Sequence, residues 1–165
     1  MKLLPYEKFT ITTQASEKEA IAKIKGITEP IRSSRFTGPR EKPYQGTING
    51  NSFEISRIIH YRNAFLPIIQ GDIRTEQERT VIFISMHLHI IVIAILLLLL
   101  GDVVIFIHKS FIEAITIFMD TGQFSISINF PPITSFLLLF GYLITTAGFK
   151  SEANNSKDFF HRLFE

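Results

Sequence analysis

Several groups of residues have types and spacing that bear on chemistry. Arg57, Arg62 and Asn63 are polar positions in an otherwise apolar stretch, and Arg57 alternates with Phe53, Ile55, Ile59 and Tyr61. On a strand, that alternation puts Arg57 on the apolar face. A guanidinium buried there needs a carboxylate, such as Asp72 or Glu54, or a bound anion. A structural ion pair or turn contact is the simpler reading, since such networks often imitate sites. Asp102 stands alone in a long apolar run. A charge at the centre of a membrane span costs about 2.5–3.5 kcal/mol even on permissive scales, so it suggests transport or proton transfer unless it lies at the interface. His87 and His89 would share one face of a strand, but zinc needs three or four ligands and nothing nearby supplies the rest. Arg32, Arg35, Arg40 and Lys42 form a basic loop opposed only by Glu41. Facing a membrane, each cation would contribute about 1 kcal/mol of attraction to anionic lipid; the alternative is an ordinary solvated loop.

Other chemistries have no support. The chain has no Cys, which removes disulfides, thiolate metal sites and thiol nucleophiles. It carries no nucleophile elbow, phosphate loop, HExxH motif or dinucleotide fingerprint. No catalytic residue, cofactor or metal is therefore assigned. A net charge of +2 is too small to suggest nucleic acid.

The elements that must hold these residues divide the chain unevenly. Residues 1–88 carry 13 Lys/Arg and 9 Asp/Glu, and residues 89–165 carry 4 and 6. The opening MKLLPYEKF does not read as a signal peptide, because its apolar stretch stops at Pro5 and Glu7 follows. Membrane insertion is expected from internal segments. Residues 89–108, HIIVIAILLLLLGDVVIFIH, have the roughly 20 residues that a spanning helix needs. A second span is expected over about 132–149, within the charge-free run from Thr121 to Phe149 and behind Pro131 and Pro132. The connecting residues 109–132 are themselves apolar and are expected to lie along the interface. Arg74 and Arg79 precede the first span, and Lys150, Lys157 and Arg162 follow the second. By the positive-inside rule both termini are cytoplasmic.

The water-exposed domain, residues 1–88, reads as α+β. Residues 7–13 predict a strand. Ser16 and Glu19 predict a capping box ahead of a helix that stops near Gly26. Residues 30–43 read as a loop. Four strands follow at 44–48, 52–61, 64–74 and 80–88, with a hairpin turn at Asn49-Gly50 and a polar turn at 75–78, giving an antiparallel β-meander. Residues 150–165 predict a C-terminal amphipathic helix with Phe159, Phe160, Leu163 and Phe164 on one stripe. Packed on the open sheet face, it would produce the element order of the helix-grip START and Bet v 1 domains, with a transmembrane helical hairpin inserted before the last helix. This is an analogy of element order alone.

The phrase FEISRIIHYRNAFLPIIQGDI, residues 53–73, is more distinctive. It resembles a family of small uncharacterised bacterial membrane proteins, of cyanobacteria and proteobacteria mainly, that carry F-x-I-x-R-I-I-x-Y-R-N-S-F-L-P-x-I-x-G ahead of a polar turn, a strand and two membrane spans. Ala64 stands where that pattern has Ser. The resemblance implies the two-span architecture and a bacterial inner (or thylakoid) membrane, and brings no activity with it.

Together these features lead to an expected function as a non-enzymatic, membrane-anchored module that binds a partner protein or an apolar or lipid ligand between sheet and tail. The alternative is an oligomeric small transporter or channel subunit using Asp102. A membrane enzyme built on Arg57, Arg62 and a carboxylate comes third.

Overall fold

The computed structural model describes residues 5–31, 41–59, 63, 65–123 and 132–165. The elements are β1 (Tyr6–Thr13), α1 (Glu17–Ile27), β2 (Thr28–Glu29), β3 (Tyr44–Asn49), β4 (Ser52–Arg57), β5 (Ile68–Glu76), β6 (Arg79–His87), α2 (Ile90–Thr121) and α3 (Pro132–Phe164). The fold is α+β. One sheet has the order β1-β6-β5-β4-β3-β2, antiparallel throughout except that β2 runs parallel to β3. The chain divides into two compact units, one of Met1–His89 with Thr146–Glu165, the other of Ile90–Thr145.

In the first unit, strand periodicity sorts the residues onto two faces. Register lines up Ile11, Ile82 and Ile73 in one row, Phe9, Ile84, Gly71, Phe53 and Ile48 in the next, and Met86, Ile69 and Ile55 in a third. This inner face is the core. It is covered by Ala20 and Ile24 of α1 and by Phe149, Ala153, Phe160 and Phe164 of α3, all buried. The helical residues recur every three or four positions or a multiple of that, the spacing of one helix face. Truncating a buried ring such as Phe160 costs about 3–5 kcal/mol.

The turns show where local chemistry sufficed and where it did not. Ser16 and Glu19 form the expected capping box, with Ser16 Oγ accepting from the Glu19 amide at 3.3 Å and Glu19 accepting from the Ser16 amide at 2.8 Å. Gly26 does not stop α1: the helix continues to Ile27 and is capped by extended Thr28. The first hairpin turns one residue later than expected. Asn49 pairs with Ser52, so Gly50 and Asn51 are the central residues, and Gly50 takes φ 58°. In the second hairpin, Gln77 and Glu78 both have positive φ, 46° and 65°. That is the type I′ pattern, whose twist matches the strands and here overrides the usual preference for Asn and Gly. The two-residue β2 was not expected; it forms only because the chain leaving α1 meets β3.

The second unit contains most of α2 and the start of α3. α2 runs well past residue 108, to Thr121, where Gly122 at φ 69° donates its amide to Phe118 O at 2.8 Å. The polar pair His108-Lys109 does not break a helix, whereas a glycine in the left-handed region ends one. The expected interfacial segment is thus helical as far as Thr121. Residues 150–165 are likewise not a separate helix. α3 is continuous from Pro132 to Phe164, because no proline interrupts it and isolated glycines cost only about 1 kcal/mol each. Among the described residues, one helix, α2, is long and apolar enough to cross a membrane.

Two predictions follow from this packing. A Cβ on Gly71 would lie 2.0 Å from Phe53 Cζ, whereas one on Gly26 meets nothing within 4 Å. Gly71→Ala should destabilise the sheet unit by about 1–3 kcal/mol or more, and Gly26→Ala should stabilise it by up to about 1 kcal/mol, both measured by chemical denaturation. The second concerns Glu17, whose carboxylate accepts from Thr75 Oγ1 at 2.7 Å and Asn51 Nδ2 at 2.8 Å, pinning α1 to the sheet. These bonds, Thr75 first, hold its pKa below the ordinary 4.5. Because the folded value is the lower one, the stabilisation is complete above 4.5 and is lost as pH falls through the folded pKa. Melting curves of the wild type and Glu17→Gln should therefore differ at neutral pH and converge in acid.

Candidate functional site

Arg57 ends β4 on the inner face, as its alternation predicted. Its partner is neither Asp72 nor Glu54. Arg57 Nη1 lies 2.9 Å from Glu152 Oε2 of α3, a residue 95 positions away. The two nearer carboxylates alternate with inner-face residues and so face outward. There Asp72 pairs with Arg74, and Glu54 accepts from Gln70 Nε2 at 2.8 Å. The Glu152 side chain is 4% exposed and that of Arg57 37% exposed. Water reaches the cation more than the anion, which lowers the cost of holding the pair inside.

The surroundings of this pair are mixed. Tyr44 is the cross-strand neighbour of Arg57 and is buried, its ring 5.3 Å from Phe159 and 5.6 Å from Phe160. Burial pushes the Tyr44 phenol up, opposed more weakly by the nearby Ser156 hydroxyl and by Arg57. Ser156 Oγ, fully buried, nevertheless lacks a hydrogen bond of good geometry among the described residues, as do Thr28 Oγ1 and Thr146 Oγ1. The sequence reading missed Glu152, Tyr44 and Ser156. The signal was present in the spacing of Phe149, Ala153, Ser156, Phe160 and Phe164, which puts Glu152 on the buried side of α3.

The other candidate residues do not join this cluster. Asn63 Oδ1 accepts from the Phe65 amide at 2.9 Å, a turn contact beside Gly148 of α3. Arg62 lies outside the described residues, as do Arg32, Arg35 and Arg40. Lys42 is held at the end of α1. Its Nζ donates to Lys25 O at 2.7 Å and Thr28 O at 3.1 Å, closing the end of α1. Asp102 is exposed on α2. His87 Nδ1 lies 3.1 Å from Leu88 O, and among the described residues no cluster of three or more His, Asp or Glu could hold a metal.

The outer face of the sheet is a different surface. Lys8, Ser85, Gln70, Glu54 and Thr47 form one cross-strand row. Beside it Phe83 is 36% exposed under the Arg74 guanidinium, 5.8 Å from the ring centroid. These residues border a shallow depression of about 870 Å3. Its mix of hydroxyl, amide, carboxylate and ammonium groups with Phe9, Phe53 and Phe83 suits non-covalent contacts.

No family model, no curated protein and no solved structure matches the chain.

The Arg57–Glu152 pair predicts energetic coupling between β4 and α3. Arg57→Met should destabilise the sheet unit by about 1–3 kcal/mol, discounted for the solvent that reaches the guanidinium. In a double-mutant cycle with Glu152→Gln, the two changes should be non-additive by about 0.5–2 kcal/mol. Additive losses in urea denaturation would mean that the contact carries no energy.

Proposed function

We propose that this chain is an integral membrane protein in which two spanning helices anchor an α+β module that binds a partner protein. The observation that carries the reading is the surface of α2. Its most apolar 18-residue window has a mean hydropathy of 3.3 and none of it is buried. Large apolar side chains such as Ile91, Leu97, Leu98, Ile105 and Phe111 are exposed around the helix. A helix apolar on every side needs burial in protein or lipid.

A second span is supported by connectivity. Met1–His89 and Thr146–Glu165 belong to one unit, which supports placing both on one side of the membrane. If α2 crosses, the chain must cross again before residue 146. The apolar start of α3, with Phe136, Leu137, Leu139, Phe140 and Leu143 exposed, is the segment available for the return. The resemblance of residues 53–73 to small bacterial two-span proteins supports the same arrangement, in an inner or thylakoid membrane with cytoplasmic termini.

Within the module, Tyr44, Phe53, Phe159 and Phe160 fill the space between sheet and helix, so a lipid would have to displace a ring there. The polar outer face favours a protein partner instead. In this reading the module binds rather than catalyses, since the charged residues brought together, Arg57 and Glu152, engage each other. A second reading, an oligomeric transporter or channel subunit, draws on Asp102, an ionisable residue exposed on an apolar helix.

Single-cysteine mapping tests the anchor, because the chain has no Cys. Lys18, Gln123 and Asn155 are all exposed. In intact cells, a membrane-impermeant maleimide should label Gln123→Cys and leave Lys18→Cys and Asn155→Cys unlabelled until lysis. Labelling of all three in intact cells, or of none, would sink the two-span arrangement. Loss of an ion or proton flux in Asp102→Asn would favour the second reading.

A further inference from the structure

A sheet edge presents a row of unpaired N–H and C=O groups, and folded proteins usually shorten it, cover it or bend it away. The two edges here differ. β2 is two residues long, and its Thr28 carbonyl accepts from Lys42 Nζ. β1 is eight residues long and pairs with β6 at every position without a bulge. Among the described residues no strand lies beyond it, and it contains no proline.

We propose that β1 is a self-pairing edge, joining two copies of this chain strand to strand, antiparallel, about a twofold axis at Thr10. The choice of a second copy rests on self-complementarity. Residues opposed across antiparallel strands lie on the same sheet face, so only registers that keep inner residues opposite inner residues are allowed. About Thr10, Phe9 of each copy faces Ile11 of the other, Lys8 faces Thr12, and Glu7 faces Thr13. Apolar meets apolar, and no like charges oppose. About Phe9, the Glu7 carboxylate would instead face Ile11. About Lys8, two cations would meet. About Ile11, the overlap shortens.

Two further features bear on this register. Phe9 is held in place at the edge, its ring 5.7 Å from that of His161 and 5.6 Å from Lys157 Nζ. Beside Thr13, on the helix-covered side, lies a recess of about 540 Å3 lined in part by Lys23, His161, Phe164 and Glu165. The register about Thr10 brings Glu7 of the other copy to the strand position next to it, beside Glu165 and beside Lys23, whose Nζ donates to Leu163 O at 2.8 Å.

The test uses the full chain in the membranes of the cells that make it, with single cysteines at exposed Thr10, Lys8 and Thr12. Opposed residues on paired antiparallel strands have Cα atoms about 4.5–5.5 Å apart, within disulfide reach. Residues four positions out of register are about 13 Å apart, beyond it. After mild oxidation, Thr10→Cys alone should run as a dimer on a non-reducing gel. Lys8→Cys and Thr12→Cys should each remain monomeric, but form a dimer when the two variants are made together. A monomer at Thr10, an equal yield of dimer at all three positions, or a crosslink from Thr10 to a different protein with no self-dimer would each overturn the proposal. These outcomes are read separately from maleimide topology, so either conclusion can fail without the other.

Discussion

The inner face of the sheet must be kept from water, and the residues that do so come from opposite ends of the chain. Phe149, Ala153, Phe160 and Phe164 lie on the face formed by β1 and β3 to β6, with Ala20 and Ile24 alongside. Without the end of α3, Tyr44, Phe53 and Ile55 would be open to solvent. A sheet with one uncovered apolar face is not independently stable. Closing this core therefore requires residues 146–165 to return to the strands that precede α2, and this requirement governs the connectivity of everything between.

Apolar burial is non-directional, so a helix on a flat row of isoleucines could slide or rotate at little cost. Two features oppose that here. Gly71 leaves a space that the Phe53 ring occupies, and Phe160 stacks over Phe53 with ring centroids 6.4 Å apart. About two turns of α3 further back, and on the same buried side, Glu152 meets Arg57. A buried ion pair is a weak source of net stability, but it is strict about geometry. The pair thus fixes the register of α3 on β4, while the aromatic rings provide most of the burial. Among the described residues, the hydroxyls of Ser156 and Thr28 are buried without good hydrogen bonds.

The two sheet faces have separate roles for the same reason. One is committed to the core and filled by rings. The other keeps a polar row from Lys8 to Thr47 and two exposed aromatics, Tyr6 and Phe83, available for contact. The edges show a similar division, with β2 short and tied down by Lys42 and β1 long and open. Among the described residues, the outer face and the β1 edge are the parts of the sheet left uncovered.

Local signals in the sequence determined much of this. The capping box at Ser16, the strand alternation from 44 to 87 and the apolar run from 90 are each set by neighbouring residues through periods of 2 or 3.6 and through turn chemistry. They yielded the α+β class, the meander and the placement of Arg57 on the inner face. What tertiary structure decided was every pairing between distant segments. The first strand joins the last, β2 exists only against β3, and Arg57 takes Glu152 rather than the nearer Asp72 or Glu54. Parity excludes the nearer carboxylates, but no local pattern selects a partner 95 residues away. Helix ends were also decided by context: Gly122 at positive φ stops α2, whereas Gly26 and Gly148 lie within helices that continue through them. A glycine permits a stop without requiring one, so its effect depends on whether the turn beyond it finds something to pack against.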